Sequence, residues 1–114
     1  MLRLLGDAGI VRHRGKIEAV INNAQRALEM VEAQGSLSAF FWCHVPEPVQ
    51  ASGPVSETAE SRALSKELKK LGWKFVGPTT VYSFMQAMGL VNDHIEGCCC
   101  RAVTEELRSQ LVRP

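Results

Sequence analysis

Residues 17–35, IEAVINNAQRALEMVEAQG, decide the fold class. Ile17, Val20, Ile21, Ala24, Leu28 and Val31 recur at three- and four-residue spacing, with Glu18, Asn22, Gln25, Arg26 and Glu29 on the other side. That period predicts an amphipathic α-helix running to about Ala33, and Gly35 stops it. Downstream, Ser36 suits the N-cap of a short aromatic helix over 37–45, with Phe40, Phe41 and Trp42 as core bulk. Pro46, Pro48, Gly53 and Pro54 predict an extended loop to about Thr58. A helix over 60–71 follows, expected to bury Ala63, Leu64, Leu68 and Leu71 and to stop at Gly72, with Trp73, Phe75 and Val76 packing the connection. Pro78 or Thr79 opens another, through about Met88, with Val81, Phe84, Met85 and Met88 as its apolar face. A last helix is expected over 101–112, with Glu105 and Glu106 as an acidic first turn.

Upstream, residues 1–8 read as the end of a helix. In DAGIVRHRGKI, 7–17, Gly9 can take the positive φ that ends one helix, and Gly15 lets the next begin close to whatever the loop touches. The reading is helix, tight hairpin, helix. No strand run and no internal repeat is visible, so the expected class is all-α in a single domain over 1–114.

At 114 residues the chain can bury one core. A net charge of +1, from 13 basic and 12 acidic side chains, leaves only clustering to inform. Arg12, Arg14 and Lys16 fall in one cluster, and Arg62, Lys66, Lys69, Lys70 and Lys74 in another. Cys98, Cys99 and Cys100 are adjacent and Cys43 stands apart, which is not a secreted disulfide framework. A reducing, cytoplasmic compartment is expected. MLRLLGDAGIV is broken by Arg3 and Asp7 and does not read as a signal peptide, and no membrane span is expected.

RHRGK at 12–16 admits two readings. Gly9, Arg12, His13, Arg14, Gly15 and Lys16 can form a non-specific DNA backbone clamp, in which helix-start N–H groups face a phosphate and the cations add a salt-dependent attraction. They can equally form a solvated basic loop. The lysines of 60–71 read as a solvated face, and as phosphate contacts only if they share a side with the hairpin.

His94 and Cys98, spaced H-x-x-x-C, can place an imidazole nitrogen and a thiolate on one metal ion. The plainer alternative is a helix-terminal histidine beside inert cysteines. Asp93 can orient His94 or cap the turn, and His13 and His44 are candidates for a further nitrogen ligand by type alone. No nucleophile is evident: Cys43 reads as core, and Ser65 and Ser83 sit in helical patterns without a base.

DAGIVRHRGKIEAVINNA at 7–24 and ALSKELKKLGWKFVGPTTVYSFMQAMGLVNDHIEGCCC at 63–100 resemble the DNA-3-methyladenine glycosylase I family of the helix-hairpin-helix superfamily. The resemblance covers residues 2–100. It implies an all-α bundle that hydrolyses the N-glycosidic bond of alkylated adenine in double-stranded DNA during base-excision repair, without a lysine nucleophile. The resemblance further implies a structural zinc, with His94 and Cys98 as the C-terminal ligands, and a hairpin on 9–16. Family members begin with a further segment that completes the zinc site and lines the base pocket. None of it is matched here, so the expectation is an N-terminally truncated bundle with a half-site for zinc and no catalytic residue of its own. A monomer is expected.

Overall fold

The computed structural model describes residues 1–45, 55–94 and 97–112, so residues 46–54 of the loop expected to run to about Thr58 lie outside them. Six helices follow in order: α1 Leu2–Leu5, α2 Arg14–Gln34, α3 Leu37–Trp42, α4 Ala59–Lys70, α5 Pro78–Ala87 and α6 Cys99–Gln110. Each boundary has a local cause. Ser36 caps α3 by accepting from the Ala39 N–H at 3.0 Å. Thr58 and Ser61 bind each other's backbone N–H in a capping box that starts α4. Pro78 at the first position fixes φ for α5. Gly35 ends α2 at φ +88°, a conformation that a side chain would strain.

The core is Met30 of α2, Phe40 of α3, Leu64 and Leu68 of α4, Val81 and Met85 of α5, and Leu90 just beyond it. Phe41, Trp73, Val76 and Phe84 close its rim, with the Phe41 ring 4.9 Å from Phe84 and 6.5 Å from Trp73. Burying each of the larger apolar side chains contributes about 1.5–3 kcal/mol. In α4 the turn-by-turn partners of Leu64 and Leu68 are Ser61 and Ser65, whereas Ala63 and Leu71 are exposed. Ser65 lies in the interior because its hydroxyl donates to the Val76 carbonyl.

Of the apolar stripe of the helix that defines the class, Ile17 is buried, but the residues beyond it are turned outward. Val20 is 68% exposed and Leu28 69%, and Ala24, Ile21 and Val31 also face solvent. The inward side carries Asn22, Asn23, Arg26 and Met30. Asn22 Nδ2 donates to the Gly72 carbonyl at 2.8 Å. Asn23 makes a two-way pair with Lys74, donating to its carbonyl at 2.8 Å and accepting from its N–H at 2.9 Å. These side chains satisfy the backbone of a turn some 50 positions away, which lets most of a polar face pack inward, while Arg26 Nε and Trp73 Nε1 there are buried without a hydrogen-bond partner.

At the other end, α6 starts at Cys99, which puts Glu105 and Glu106 inside the helix rather than in its first turn. Arg108 fastens it, donating from Nε to the Gly89 carbonyl at 2.7 Å and from Nη2 to the Leu90 carbonyl at 3.1 Å. Asn92 adds a bond from Nδ2 to the Arg101 carbonyl at 2.9 Å.

Candidate nucleic-acid interface and metal pair

The basic cluster 12–16 is split between loop and helix. His13 is the N-cap of α2, its Nδ1 accepting from the Lys16 N–H at 3.0 Å, so Arg14, Gly15 and Lys16 form the first helical turn. At Gly15 a Cβ would stand 3.1 Å from the His13 ring, a tight contact to which the ring would have to yield by a few tenths of an ångström. Gly9 does not adopt a positive φ; its N–H instead binds Asp7 Oδ1 at 2.8 Å. Arg14 pairs with Glu18 at 3.1 Å, both ends well exposed, a contact weak enough to exchange for a phosphate.

A second turn lies against this cluster. Residues 71–77 join α4 to α5, and these two helices, not α1 and α2, form the packed helix-turn-helix pair. Gly72 has φ +91° and its face abuts Arg26, while Phe75 has φ +57°, in the left-handed region that a phenylalanine rarely enters. The strain holds the Phe75 ring out, 59% exposed, with its centroid 6.4 Å from His13 in an edge-on arrangement. Lys74, pinned by Asn23, sits beside it. At the start of α5, Gly77 offers no side-chain cap, so the first N–H groups of that helix are unclaimed by any side chain. Lys66, Lys69 and Lys70 are exposed along α4.

This turn was read from sequence only as packing. Its signal is the sequence GWKFVGP at 72–78: a glycine able to take positive φ, a lysine, and a Gly-Pro helix start.

His94 and Cys98 do meet: Sγ lies 3.8 Å from Nδ1. Two ligands on one tetrahedral zinc stand about 3.5 Å apart, so the pair fits two corners of such a site. Among the described residues no group of three or more His, Cys, Asp or Glu is close enough to hold a metal. His13 is occupied as a cap, and His44 binds the Phe40 carbonyl at 2.8 Å and Glu67 at 3.5 Å. Asp93 takes the Gln86 amide at 3.1 Å and the buried Tyr82 hydroxyl, whose pKa is raised first by burial and then by that carboxylate. Cys100 is also raised, chiefly by its contact with Cys99 and then by charge on Cys98. Cys43 is exposed, not core, and donates to the Phe40 carbonyl at 2.8 Å.

An open cleft of about 410 Å³ lies over His94, lined by Ser83, Gln86, Asn92, Asp93 and Thr104, with Ala87 and Val91. Apart from the His94 imidazole no aromatic ring lines it, so it lacks the paired rings that would sandwich a base.

The described residues thus form an all-α bundle in which a packed helix-turn-helix pair presents a basic, strained turn. Residues 1–102 match the methyladenine glycosylase family, and the chain belongs to it. It is 54% identical over 104 residues to DNA-3-methyladenine glycosylase 1 of Escherichia coli K12, covering 86% of this chain and 56% of that protein. The DNA-3-methyladenine glycosylase of Haemophilus influenzae is 43% identical over 101 residues, covering 83% and 55%. A solved 3-methyladenine DNA glycosylase I from Staphylococcus aureus, described for its recognition of 3-methyladenine, superposes with a TM-score of 0.77 at 37% identity, covering 87% of this chain and 56% of that one. The chain thus spans a little over half the length of the relatives it matches.

Proposed function

We propose that this chain forms the DNA-gripping part of a cytoplasmic DNA-3-methyladenine glycosylase, which extrudes an alkylated adenine from duplex DNA and hydrolyses its N-glycosidic bond with water. The observation that carries this reading is the juxtaposition of Arg12–Lys16 with the Lys74–Phe75 turn in a chain of this family. The cations and free helix-start N–H groups hold phosphates, and the exposed Phe75 ring is placed to meet the nucleotides between them. Alkylation leaves the departing base positively charged, so the bond is already weakened and water suffices as the nucleophile. The cleft over His94 lacks the paired rings needed to stack a flipped base, and the base pocket is assigned to the part of the family fold that the alignment does not span. Among the described residues no helix is long and apolar enough to cross a membrane.

Incubation of the purified 114-residue chain with methylated duplex DNA tests this. The expected result is salt-dependent binding without release of 3-methyladenine; excision by the chain alone would place the pocket within these residues, and absence of binding would remove the interface. A second reading, a DNA-binding protein without catalysis, is favoured by the same lack of an aromatic cage. It is distinguished by failure of the remainder of the E. coli relative, supplied together with this chain, to restore excision.

His94 and Cys98 are proposed as two of four ligands to a structural zinc, which when bound would tie the 91–98 segment to another part of the domain. With two ligands the affinity is low. Metal analysis of the isolated chain is expected to give well under one zinc per molecule, rising towards one when the rest of the family domain is present, and Cys98→Ser is expected to abolish the rise.

A further inference from the structure

The end of α3 and the last turns of α4 bring together three side chains that neither the DNA interface nor the metal pair uses: Cys43, His44 and Glu67. Cys43 is exposed, and its Sγ lies 3.3 Å from His44 Nδ1. The same Nδ1 stands 2.8 Å from the Phe40 carbonyl, and Nε2, across the ring, is 3.5 Å from Glu67 Oε2. A carbonyl and a carboxylate can only accept, so both ring nitrogens are satisfied together when each carries a proton. A doubly protonated imidazole is a cation, and here it borders a thiol sulfur. Phe40 packs against it, ring to ring at 4.9 Å, and leaves the His44 side chain 21% exposed, so water screens the charge only in part. One contact works the other way: the Phe40 carbonyl is also 2.8 Å from Sγ and gives a neutral thiol a place to donate. That neutral bond competes with a charge at 3.3 Å, and charge-assisted hydrogen bonds are roughly twice as strong. Among the described residues, Cys43 and Glu67 are the titratable groups bonded to the ring.

We propose that Cys43 is a modification site: a nucleophilic thiol, held as thiolate beside the His44 imidazolium, that reacts with small disulfides by thiol–disulfide exchange. A thiol within hydrogen-bond reach of an imidazole, itself oriented by a third group, is the arrangement that activates a cysteine. Cys43 Sγ attacks one sulfur of the disulfide. A new S–S bond forms, the old one breaks, and the departing thiolate carries off its electron pair and takes a proton from water. The Cys43 sulfur is oxidised and the departing sulfur reduced, so no further reactant is needed. His44 acts on the reacting atom directly, whereas Glu67 touches only the imidazole and is a positioning residue. The product is a mixed disulfide at the exposed end of α3, reversible by any thiol in excess. Neither DNA binding nor zinc nor glycosidic hydrolysis enters this inference.

The test is the rate at which the purified 114-residue chain forms a mixed disulfide at Cys43 with oxidised glutathione, followed by peptide mass mapping from pH 5.5 to pH 9.5. Mapping separates Cys43 from the cysteines at 98–100, and the same chain unfolded in urea supplies the reference for an unassisted Cys43. At pH 6 the folded chain is expected to react about fivefold faster than the unfolded one, because an ordinary thiol is then almost wholly protonated. At pH 9.5 the order is expected to reverse, since a thiolate stabilised by a cation is the weaker nucleophile. His44→Gln is expected to restore the reference profile and Glu67→Gln to give one between the two, with circular dichroism of both matching the wild type. A folded-chain profile that coincides with the unfolded reference overturns the proposal, whether or not either variant folds. A folded His44→Gln chain with the wild-type profile overturns it as well, as does absence of a Cys43 adduct at every pH. An unchanged profile in Glu67→Gln overturns the role given to that carboxylate.

Discussion

Phe75 is the residue at which local preference and tertiary demand conflict most clearly. Its left-handed backbone costs about 1–2 kcal/mol for a residue with a side chain, and the ring it displays is mostly in water. Stability therefore does not account for a phenylalanine at this position; the proposed contact with a nucleotide does. Phe75→Gly is expected to leave the urea midpoint unchanged or raise it by an amount equivalent to about 1 kcal/mol, while weakening duplex binding several-fold. Paired denaturation and fluorescence-anisotropy titrations check both halves, and a loss of stability without a loss of affinity contradicts the assignment. The nearby Gly72 shows the opposite case, since φ +91° would strain any side chain there and a Cβ would stand 3.1 Å from Arg26 Cδ.

Among the elements, α6 depends on few attachments. Arg108 holds both the Gly89 and Leu90 carbonyls and is itself gripped by Glu105 at 2.8 Å. Truncating it leaves two carbonyls unpaired, and Arg108→Ala is expected to destabilise by roughly 1–3 kcal/mol. The Glu105 carboxyl is held below its ordinary pKa, first by the Arg108 hydrogen bond and then by Asn92. A depressed carboxyl pKa stabilises the fold above the unfolded value of 4.5 and loses that contribution as pH falls through the folded value. Thermal melts from pH 6 down to pH 3 are thus expected to show an acid-side loss that is smaller in Glu105→Gln. The helices themselves were largely legible in the sequence: Ser36, Gly35, Gly72 and Pro78 mark real boundaries because caps and stops act locally. The orientation of α2 was not legible. Periodicity says that a helix has two faces, but Asn22 and Asn23 choose the inner one through carbonyls some 50 positions distant, which no window of local sequence contains. The same limit hid the 71–77 turn, whose partner at His13 comes from the other end of the chain, and let Cys43 pass for core. The His94–Cys98 pair was readable, since both members lie in one short segment.

For the whole molecule, the proposed interface joins the basic loop and the α4–α5 turn into one surface. Lys74→Ala, Arg14→Ala and Lys16→Ala are each expected to weaken binding to any duplex sequence alike, and each to reduce the slope of log affinity against log salt by about 0.9 if the residue holds one phosphate. Titrations at four or more salt concentrations measure this, and an unchanged slope for Lys74→Ala removes that turn from the interface. The turn itself is secured before any ligand arrives: Ser65 holds Val76 from α4, and Asn22 and Asn23 hold Gly72 and Lys74 from α2. A rigid receptor of this kind has little ordering entropy left to lose on contact. On the proposed reading, capture of duplex DNA is therefore limited by electrostatically steered diffusion, and discrimination between damaged and undamaged sites comes after the encounter, at the step that opens the duplex.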